Sequence, residues 1–290
     1  MPRTPARLDF WTRLLRRLPW RPAALGPARP IADTLWHETL AGLPFLQRCS
    51  PQDLDRLRLL AGHFLDRKEF HGAHGLVVTD AMAVAVASQA CLPLLNLGPC
   101  PAVLRWYDDF VGIVLHADQV IAPRETVDDD GVVHRYAEPL IGEAMDRGPV
   151  MLSWRDVADG AAAQEAGANV VVHEFVHKLD MQDGVADGCP PLPRGFLGAS
   201  GHRAARNAWF GVLEPAYEAF RERVIVADRF GGPRPWLDDY GATSLTEFFA
   251  VACEGYFVLP DRFRTEFPEL SMLFDAFFRQ FSPGPAPAGS

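Results

Sequence analysis

The segment Val170–Leu179 constrains the fold more than any other part of the chain. It reads Val-Val-Val-His-Glu-Phe-Val-His-Lys-Leu, so apolar side chains cover most sides of any helix that it forms. Because β-branched valines are indifferent helix formers, such a helix needs tertiary packing to hold it in place. The segment therefore predicts a buried core helix over residues 169–182, closed by Gly184, around which the other elements pack.

Two histidines and a glutamate interrupt this apolar helix. His173 and His177 are four residues apart, so they lie on one helix face, about 40° apart around the axis, and can direct both imidazoles at one ion. Glu174 lies beside them and can reach a water on that ion without filling a coordination position. Since buried polar groups need partners, this H-E-x-x-H pattern predicts one zinc ion per chain, held by two histidines next to a general base.

A catalytic zinc ion takes a third protein ligand and keeps a fourth position open for water. Glu247 and Glu254 are the candidates, because both interrupt a mostly apolar helical segment and lie seven residues apart on one face. Glu247 has a further interpretation, since Ser244-x-x-Glu247 fits a capping box in which the carboxylate reaches back to the Ser244 N–H. Spacing alone leaves these three alternatives open.

The remaining pattern predicts a single α+β domain over residues 31–281, between a basic arm at residues 1–30 and a disordered tail at 282–290. Helical patterns occupy residues 31–70, 202–227, 244–258 and 269–281, and strand-like runs lie at Phe110–Leu115, Val132–Arg135 and Val150–Trp154. A further apolar stretch from Ala81 predicts a buried helix that ends near Pro93. Helices around so modest a sheet do not form a regular βαβ series.

Charge is distributed unevenly along the chain. The formal net charge is −9, but residues 1–30 hold seven arginines and one acid, so the rest carries about −15. An acidic body argues against direct nucleic-acid binding, and the sequence has no apolar run of transmembrane length. The basic arm fits a solvated tail, or an amphipathic helix on a membrane surface or partner.

The cysteines are odd in number and form no C-x-x-C pair. They are Cys49, Cys91, Cys100, Cys189 and Cys253. The arginines of the first 30 residues are scattered, without the apolar core and cleavage site of a signal peptide. We therefore expect free thiols and a cytoplasmic protein.

The H-E-x-x-H sequence from His173 to His177 continues with Lys-Leu-Asp, and a Tyr-x6-Glu element follows about 60 residues later. With these features the chain resembles the Mlc titration factor A family of zinc peptidases over about residues 35–280. The matching segments are His173–Asp180, Tyr240, Glu247–Val251, Gly148–Trp154 and Leu92–Gly98. The Tyr-x6-Glu spacing is also similar to the catalytic domain of anthrax lethal factor. The resemblance implies a zincin-like fold with a small sheet, the H-E-x-x-H helix and additional packed helices.

Carried over by position, the resemblance implies that Glu247 completes the zinc site with His173 and His177. It makes Glu174 the catalytic base. It places Tyr240 near the open metal position, where a phenol can donate a hydrogen bond to the oxyanion that develops on the attacked carbonyl.

Four more residues are candidates for supporting roles. Asp180 is a candidate acceptor for a ligand imidazole N–H, and Glu254 is an alternative ligand or a second such acceptor. A plain helix-capping role fits Asp180 equally well. If the run that ends at Ser153 and Trp154 is an exposed strand edge, it can pair with an extended peptide substrate.

Members of the resembled family are described as aminopeptidase-like and as binding the glucose-responsive repressor Mlc. The resemblance thus implies a zinc-dependent, aminopeptidase-like enzyme that acts on peptides and also binds a transcriptional repressor of sugar-uptake genes. The alternative is a repressor-sequestering protein on the same scaffold with little hydrolysis. The intact Glu174 favours the enzyme, because a purely structural zinc site has no use for a base.

Overall fold

A computed structural model describes residues 28–118, 120–127, 133–140, 142–144, 148–159 and 165–281 of this protein. In the strands at 120–127, 133–140 and 142–144 only the backbone is described. Most of the predicted basic arm and the predicted disordered tail, residues 282–290, lie outside these ranges.

Nine α-helices hold about half of the described residues. They are α1 (Asp33–Gly42), α2 (Pro51–Arg67), α3 (Asp80–Cys91), α4 (Trp154–Ala158), α5 (Val170–Asp180), α6 (His202–Phe230), α7 (Leu245–Val258), α8 (Pro260–Glu266) and α9 (Pro268–Phe278) among the described residues. The predicted helical region 31–70 is two helices joined by a 3-10 turn, and it ends in a strand rather than in a helix. The predicted core helix from Ala81 is confirmed, since α3 ends two residues before Pro93.

The strands form one small sheet and one separate hairpin. They are β1 (Glu69–Gly72), β2 (Gly112–His116), β3 (Val120–Val127), β4 (Val133–Leu140), β5 (Gly142–Ala144) and β6 (Val150–Ser153). The sheet has the order β1-β2-β6-β5, in which β1, β2 and β6 run parallel and β5 pairs antiparallel with β6. β3 and β4 pair only with each other. A small sheet with many helices confirms the α+β class.

The prediction that Val150–Trp154 is an exposed edge is wrong. β6 lies inside the sheet, with Leu115 of β2 on one side of Leu152 and Gly142 of β5 on the other. The backbone groups of β6 are therefore already paired with both neighbours. β5 was not predicted because it is three residues long, begins with glycine and carries no alternating apolar pattern.

Helix α5 lies in the core, as its sequence predicts. Five of its apolar side chains are fully buried: Val171, Val172, Phe175, Val176 and Leu179. The Phe175 ring lies against Phe64, Tyr107 and Phe110, with centroids 5.0–5.9 Å apart. Burial of each such side chain stabilises the fold by about 1.5–3 kcal/mol, so packing rather than helix propensity holds this valine-rich helix.

All five cysteines lie in the described part of the chain and all are free thiols, as expected. Among the helices that the structure describes, none combines the length and the apolar character needed to cross a membrane.

Candidate metal centre

The start of α5 is fixed by one asparagine. The Asn169 side chain accepts a hydrogen bond from the Val172 N–H at 2.9 Å, which caps the helix, and its amide donates to Gln89 of α3 at 2.8 Å. The Asn169 N–H donates to the Glu254 carboxylate of α7. One capping residue therefore sets the position of α5 against α3 and α7, upstream of both histidines.

The other end of α5 is fixed by a buried lysine that sequence reasoning did not single out. The Lys178 ammonium is fully buried and donates to Asp109 Oδ2 at 3.2 Å and to the Gly148 carbonyl at 3.1 Å. Gln182 donates to the other Asp109 oxygen at 3.2 Å. Because Lys178 follows His177 directly, these bonds fix the rotation of α5 and so the direction of its histidines. The sequence feature that could have identified this residue is a lysine within a mostly apolar helical segment.

Three side chains converge in front of α5. His173 Nε2 lies 3.1 Å from Glu247 Oε2, and His177 Nε2 lies 3.2 Å from the same oxygen. The two Nε2 atoms are 3.2 Å apart. The side chains are 12%, 12% and 22% exposed, so the cluster is largely shielded but reachable from solvent.

The spacing of these atoms fits a zinc ion. Ligands about 2.0–2.1 Å from a tetrahedral ion lie about 3.3 Å from one another, close to the observed separations. Among the described residues this is the one set of three metal-ligating side chains whose ligand atoms lie within 4.8 Å of one another. Two imidazoles and one carboxylate are the ligands of many catalytic zinc sites.

Hydrogen bonding also shifts the charge states of the cluster. Burial acts to lower the pKa of His173, but its bonds to Glu247 and Glu254 outweigh this and raise the pKa well above its ordinary value. Burial acts to raise the pKa of Glu247, but its bonds to His173 and His177 hold the pKa well below its usual range. The cluster thus attracts positive charge, because its carboxylate is ionised, and a metal ion that binds His173 must take the place of a proton there.

The three interpretations of Glu247 and Glu254 separate in the structure. Ser244 Oγ accepts the Glu247 N–H at 3.2 Å and so caps α7, while the Glu247 carboxylate turns to the two imidazoles. Glu254 lies behind His173, where its Oε1 accepts from Nδ1 at 2.7 Å. Glu247 therefore faces the ring nitrogens that converge, and Glu254 faces the opposite nitrogen of one ring.

Of the other predicted site residues, Glu174 and Tyr240 neighbour His173, whereas Ser153 caps a helix and Trp154 packs against the core. Glu174 is 4% exposed and adjoins His173 on α5. The Tyr240 ring is centred 6.2 Å from the His173 ring, and Tyr240 is 39% exposed. Ser153 is buried and its hydroxyl caps α4 by accepting the Asp156 N–H at 3.3 Å. Trp154 is half-buried and packs against the core.

Asp180 does not bond to either imidazole in this structure. Its Oδ2 accepts the Gly188 N–H at 2.8 Å, whereas its Oδ1 is buried without a hydrogen-bond partner among the described residues. Burial raises the pKa of Asp180 to about 7, although the Gly188 bond opposes this. Asp180 therefore ties the end of α5 to the loop that follows it.

Comparisons with known proteins find matches over most of this chain. A family model described as glucose-regulated metallo-peptidase M90 matches residues 17–279. Mlc titration factor A of Serratia proteamaculans is 33% identical over 255 residues, which cover 87% of this chain and 90% of that protein. Its namesake in Salmonella arizonae is 33% identical over 251 residues, with 86% and 92% covered. That of Edwardsiella ictaluri is 33% identical over 265 residues, with 90% and 92% covered. The resemblance predicted from the motifs is confirmed.

Proposed function

The chain belongs to the glucose-regulated metallo-peptidase M90 family, and from this premise we propose that it is a zinc-dependent peptidase. The observation that carries the proposal is the convergence of His173, His177 and Glu247 within 3.1–3.2 Å of one another. Three such ligands leave the fourth tetrahedral position for water or substrate. A glutamate adjoining the first ligand on the same helix supplies the base that hydrolysis needs.

We assign the metal as zinc, one per chain, because two imidazoles and a carboxylate at tetrahedral spacing suit this ion. Zinc at this position supplies Lewis-acid chemistry, since it acidifies a water and polarises the scissile carbonyl. In the proposed reaction, the Glu174 carboxylate takes the proton of the attacking water and passes it to the leaving amine. The Tyr240 phenol donates a hydrogen bond to the oxyanion.

Glu254 and Asp180 are proposed to orient the two histidines. Glu254 keeps the Nδ1–H of His173 paired, so that Nε2 carries the lone pair for the metal. Asp180 Oδ1 is buried, lacks a hydrogen-bond partner among the described residues and lies one helical turn beyond His177. We propose that it accepts the Nδ1–H of His177 when the metal is bound.

The proposed substrate is a peptide with a free amino terminus. Asp238 supports this, because it is exposed and lies two residues before Tyr240. Its Oδ1 accepts the Tyr240 N–H at 2.9 Å, which leaves Oδ2 for a substrate group. An exposed carboxylate two residues before Tyr240 suits an α-ammonium group. Hydrolysis of a free peptide but not of its N-acetylated form is the expected result, and equal rates would contradict the aminopeptidase assignment.

Glu174→Gln tests the proposed reaction most simply, because it removes the base and retains the shape of the side chain. We expect the variant to bind zinc like the unmodified protein and to lose about 10²–10⁴-fold in kcat. Glu218→Gln is the matched control, since Glu218 is exposed on α6. Full peptidase activity in the Glu174→Gln protein would refute the mechanism.

A second role rests on the names of the relatives, which are titration factors for Mlc. We propose that this chain binds a transcriptional repressor of that kind in the cytoplasm, where its five thiols remain reduced. The two roles separate experimentally. Capture of an Mlc-like repressor by both the unmodified protein and the Glu174→Gln variant supports repressor binding, and capture by neither refutes it.

A further inference from the structure

A small pocket lies beside the metal centre, between three segments that are distant in sequence. Residues Ala166–Ala168, just before α5, form one wall, and Trp236–Asp238, just before the Tyr240 turn, form another. Val251 and Glu254 of α7 complete the lining. The volume is about 300 Å³ including the open mouth, which is at the lower end of the range for small-molecule sites. The pocket therefore suits one short side chain rather than an indole-sized group.

The first wall leaves this space because its residues are small. Ala166 is exposed, Ala168 is half-buried, and Gly167 lies between them. A Cβ atom at Gly167 would come within 2.4 Å of the Trp236 ring, and its φ of +76° also favours glycine. A Cβ atom at Gly255 would come within 2.9 Å of the same ring. The indole thus packs closely against both glycines and forms a firm side of the pocket.

Asp238 is the carboxylate of this pocket that is available to a ligand. It is exposed, and its Oδ1 accepts the Tyr240 N–H. Among the described residues no hydrogen bond to its Oδ2 is found, because the nearby Arg234 pairs with Asp228 and Asp239 instead. A carboxylate oxygen at an otherwise apolar pocket is complementary to an ammonium group that carries an aliphatic substituent.

Glu254 connects the pocket with the metal centre. It lines the pocket and accepts a hydrogen bond from His173 Nδ1 at 2.7 Å, whereas Nε2 of the same ring faces Glu247 and the metal position. One imidazole ring therefore separates the pocket wall from the metal position. In an amino-terminal residue, the α-ammonium, the side chain and the scissile carbonyl are all attached to one Cα atom. A subsite for that side chain must adjoin both an anion and the metal, and this pocket adjoins both.

We propose that this pocket receives the side chain of the amino-terminal residue of the substrate, that this side chain is aliphatic, and that Asp238 pairs with the α-ammonium of the same residue. The assignment rests on the proposed peptidase function and adds the substrate class to it. Burial of an aliphatic group against Trp236, Leu237 and Val251 is favourable, whereas an acidic side chain would lose its hydration and face Glu254.

Peptides that differ only in their first residue test this preference. We expect kcat/KM of the zinc-loaded protein to be about tenfold higher for a leucyl peptide than for its glutamyl and tryptophanyl counterparts. Ala168→Leu fills the pocket, so it lowers the leucyl value about tenfold and leaves the glycyl value within about twofold. Ala166→Leu carries the test if Ala168→Leu does not fold, and Ala219→Leu, exposed on α6, is the control. A leucyl value no higher than the others, or equal effects on leucyl and glycyl peptides, would overturn the proposal.

A second readout does not need hydrolysis. In zinc-loaded Glu174→Gln protein labelled with 5-fluorotryptophan, loss of one ¹⁹F resonance in Trp236→Phe assigns the indole of the pocket. We expect L-leucinamide to shift this resonance, and both N-acetylation of the amide and Asp238→Asn to weaken the binding by about fivefold. An unmoved resonance, or equal affinity for the free and acetylated amides, would overturn the proposal. A shifted resonance, with no hydrolysis of any peptide by the unmodified protein, would refute only the proposed function.

Discussion

Substitution of Glu254 by glutamine removes one acceptor from behind His173. The carboxylate accepts two hydrogen bonds, from His173 Nδ1 at 2.7 Å and from the Asn169 N–H. Glutamine has the same shape but one acceptor oxygen, so one of these donors must face an amide NH₂ group. Because Glu254 is 6% exposed, water cannot easily replace the lost acceptor.

The size of the effect follows from the role of the lost bond. A partner behind a metal-bound histidine contributes about 10- to 100-fold to metal affinity, which corresponds to about 1.4–2.8 kcal/mol. The short, buried bond to His173 places Glu254→Gln near the upper end of that range. Glu247→Gln, which removes a proposed ligand, weakens zinc binding further. At saturating zinc, kcat of Glu254→Gln falls less than that of Glu174→Gln, because Glu254 faces away from the reacting atoms.

Competition between the protein and a fluorescent chelator measures these affinities. The matched control is Glu266→Gln, which removes a carboxylate of α8 that pairs with Arg262 instead of a histidine. Zinc affinity of Glu254→Gln within about twofold of the unmodified protein would refute the idea that Glu254 orients His173. A loss as large as that of Glu247→Gln would show instead that Glu254 is itself a ligand.

Two further predictions concern the lysines around Asp109. Lys178→Met leaves the Asp109 carboxylate without its buried ammonium partner and lowers the free energy of unfolding by about 3 kcal/mol. Adding Asp109→Asn removes the unpaired charge and restores part of that stability. A loss in the double variant equal to or larger than that in Lys178→Met would contradict this explanation. Burial lowers the pKa of Lys68 to about 7, although Asp109 and Asp108 oppose this. Between about pH 7 and 10 the unfolded chain then binds more protons at Lys68 than the folded one, so stability from this residue rises with pH. Urea unfolding at pH 6.5 and 9 checks this, and Lys68→Met must reduce the rise.

Much of the centre could be predicted because its signals are local. The spacing of His173 and His177 and the apolar residues around them indicate both a metal and a buried helix within eleven residues. Helix starts were also readable: Ser50 accepts the Asp53 N–H at 3.1 Å, as the Ser-Pro sequence before α2 predicts.

The remaining features depend on packing between distant segments. Glu247 and Glu254 share one face of α7, so only the way in which α7 packs against α5 decides which carboxylate meets Nε2 and which meets Nδ1. No local pattern encodes that arrangement across more than 70 residues. The close packing of the Trp236 ring against Gly167 and Gly255 could not be predicted for the same reason, because a lone glycine in sequence does not reveal which ring approaches it.

Titration of metal-free protein with zinc, followed by peptide hydrolysis and by bound metal, tests the central claim most directly. The account predicts that activity rises in proportion to bound zinc and stops rising at about one ion per chain. It also predicts that His177→Ala shows neither tight zinc binding nor hydrolysis. Hydrolysis by the metal-free protein, or by His177→Ala at the rate of the unmodified protein, would contradict the assignment of His173, His177 and Glu247 as the catalytic metal site.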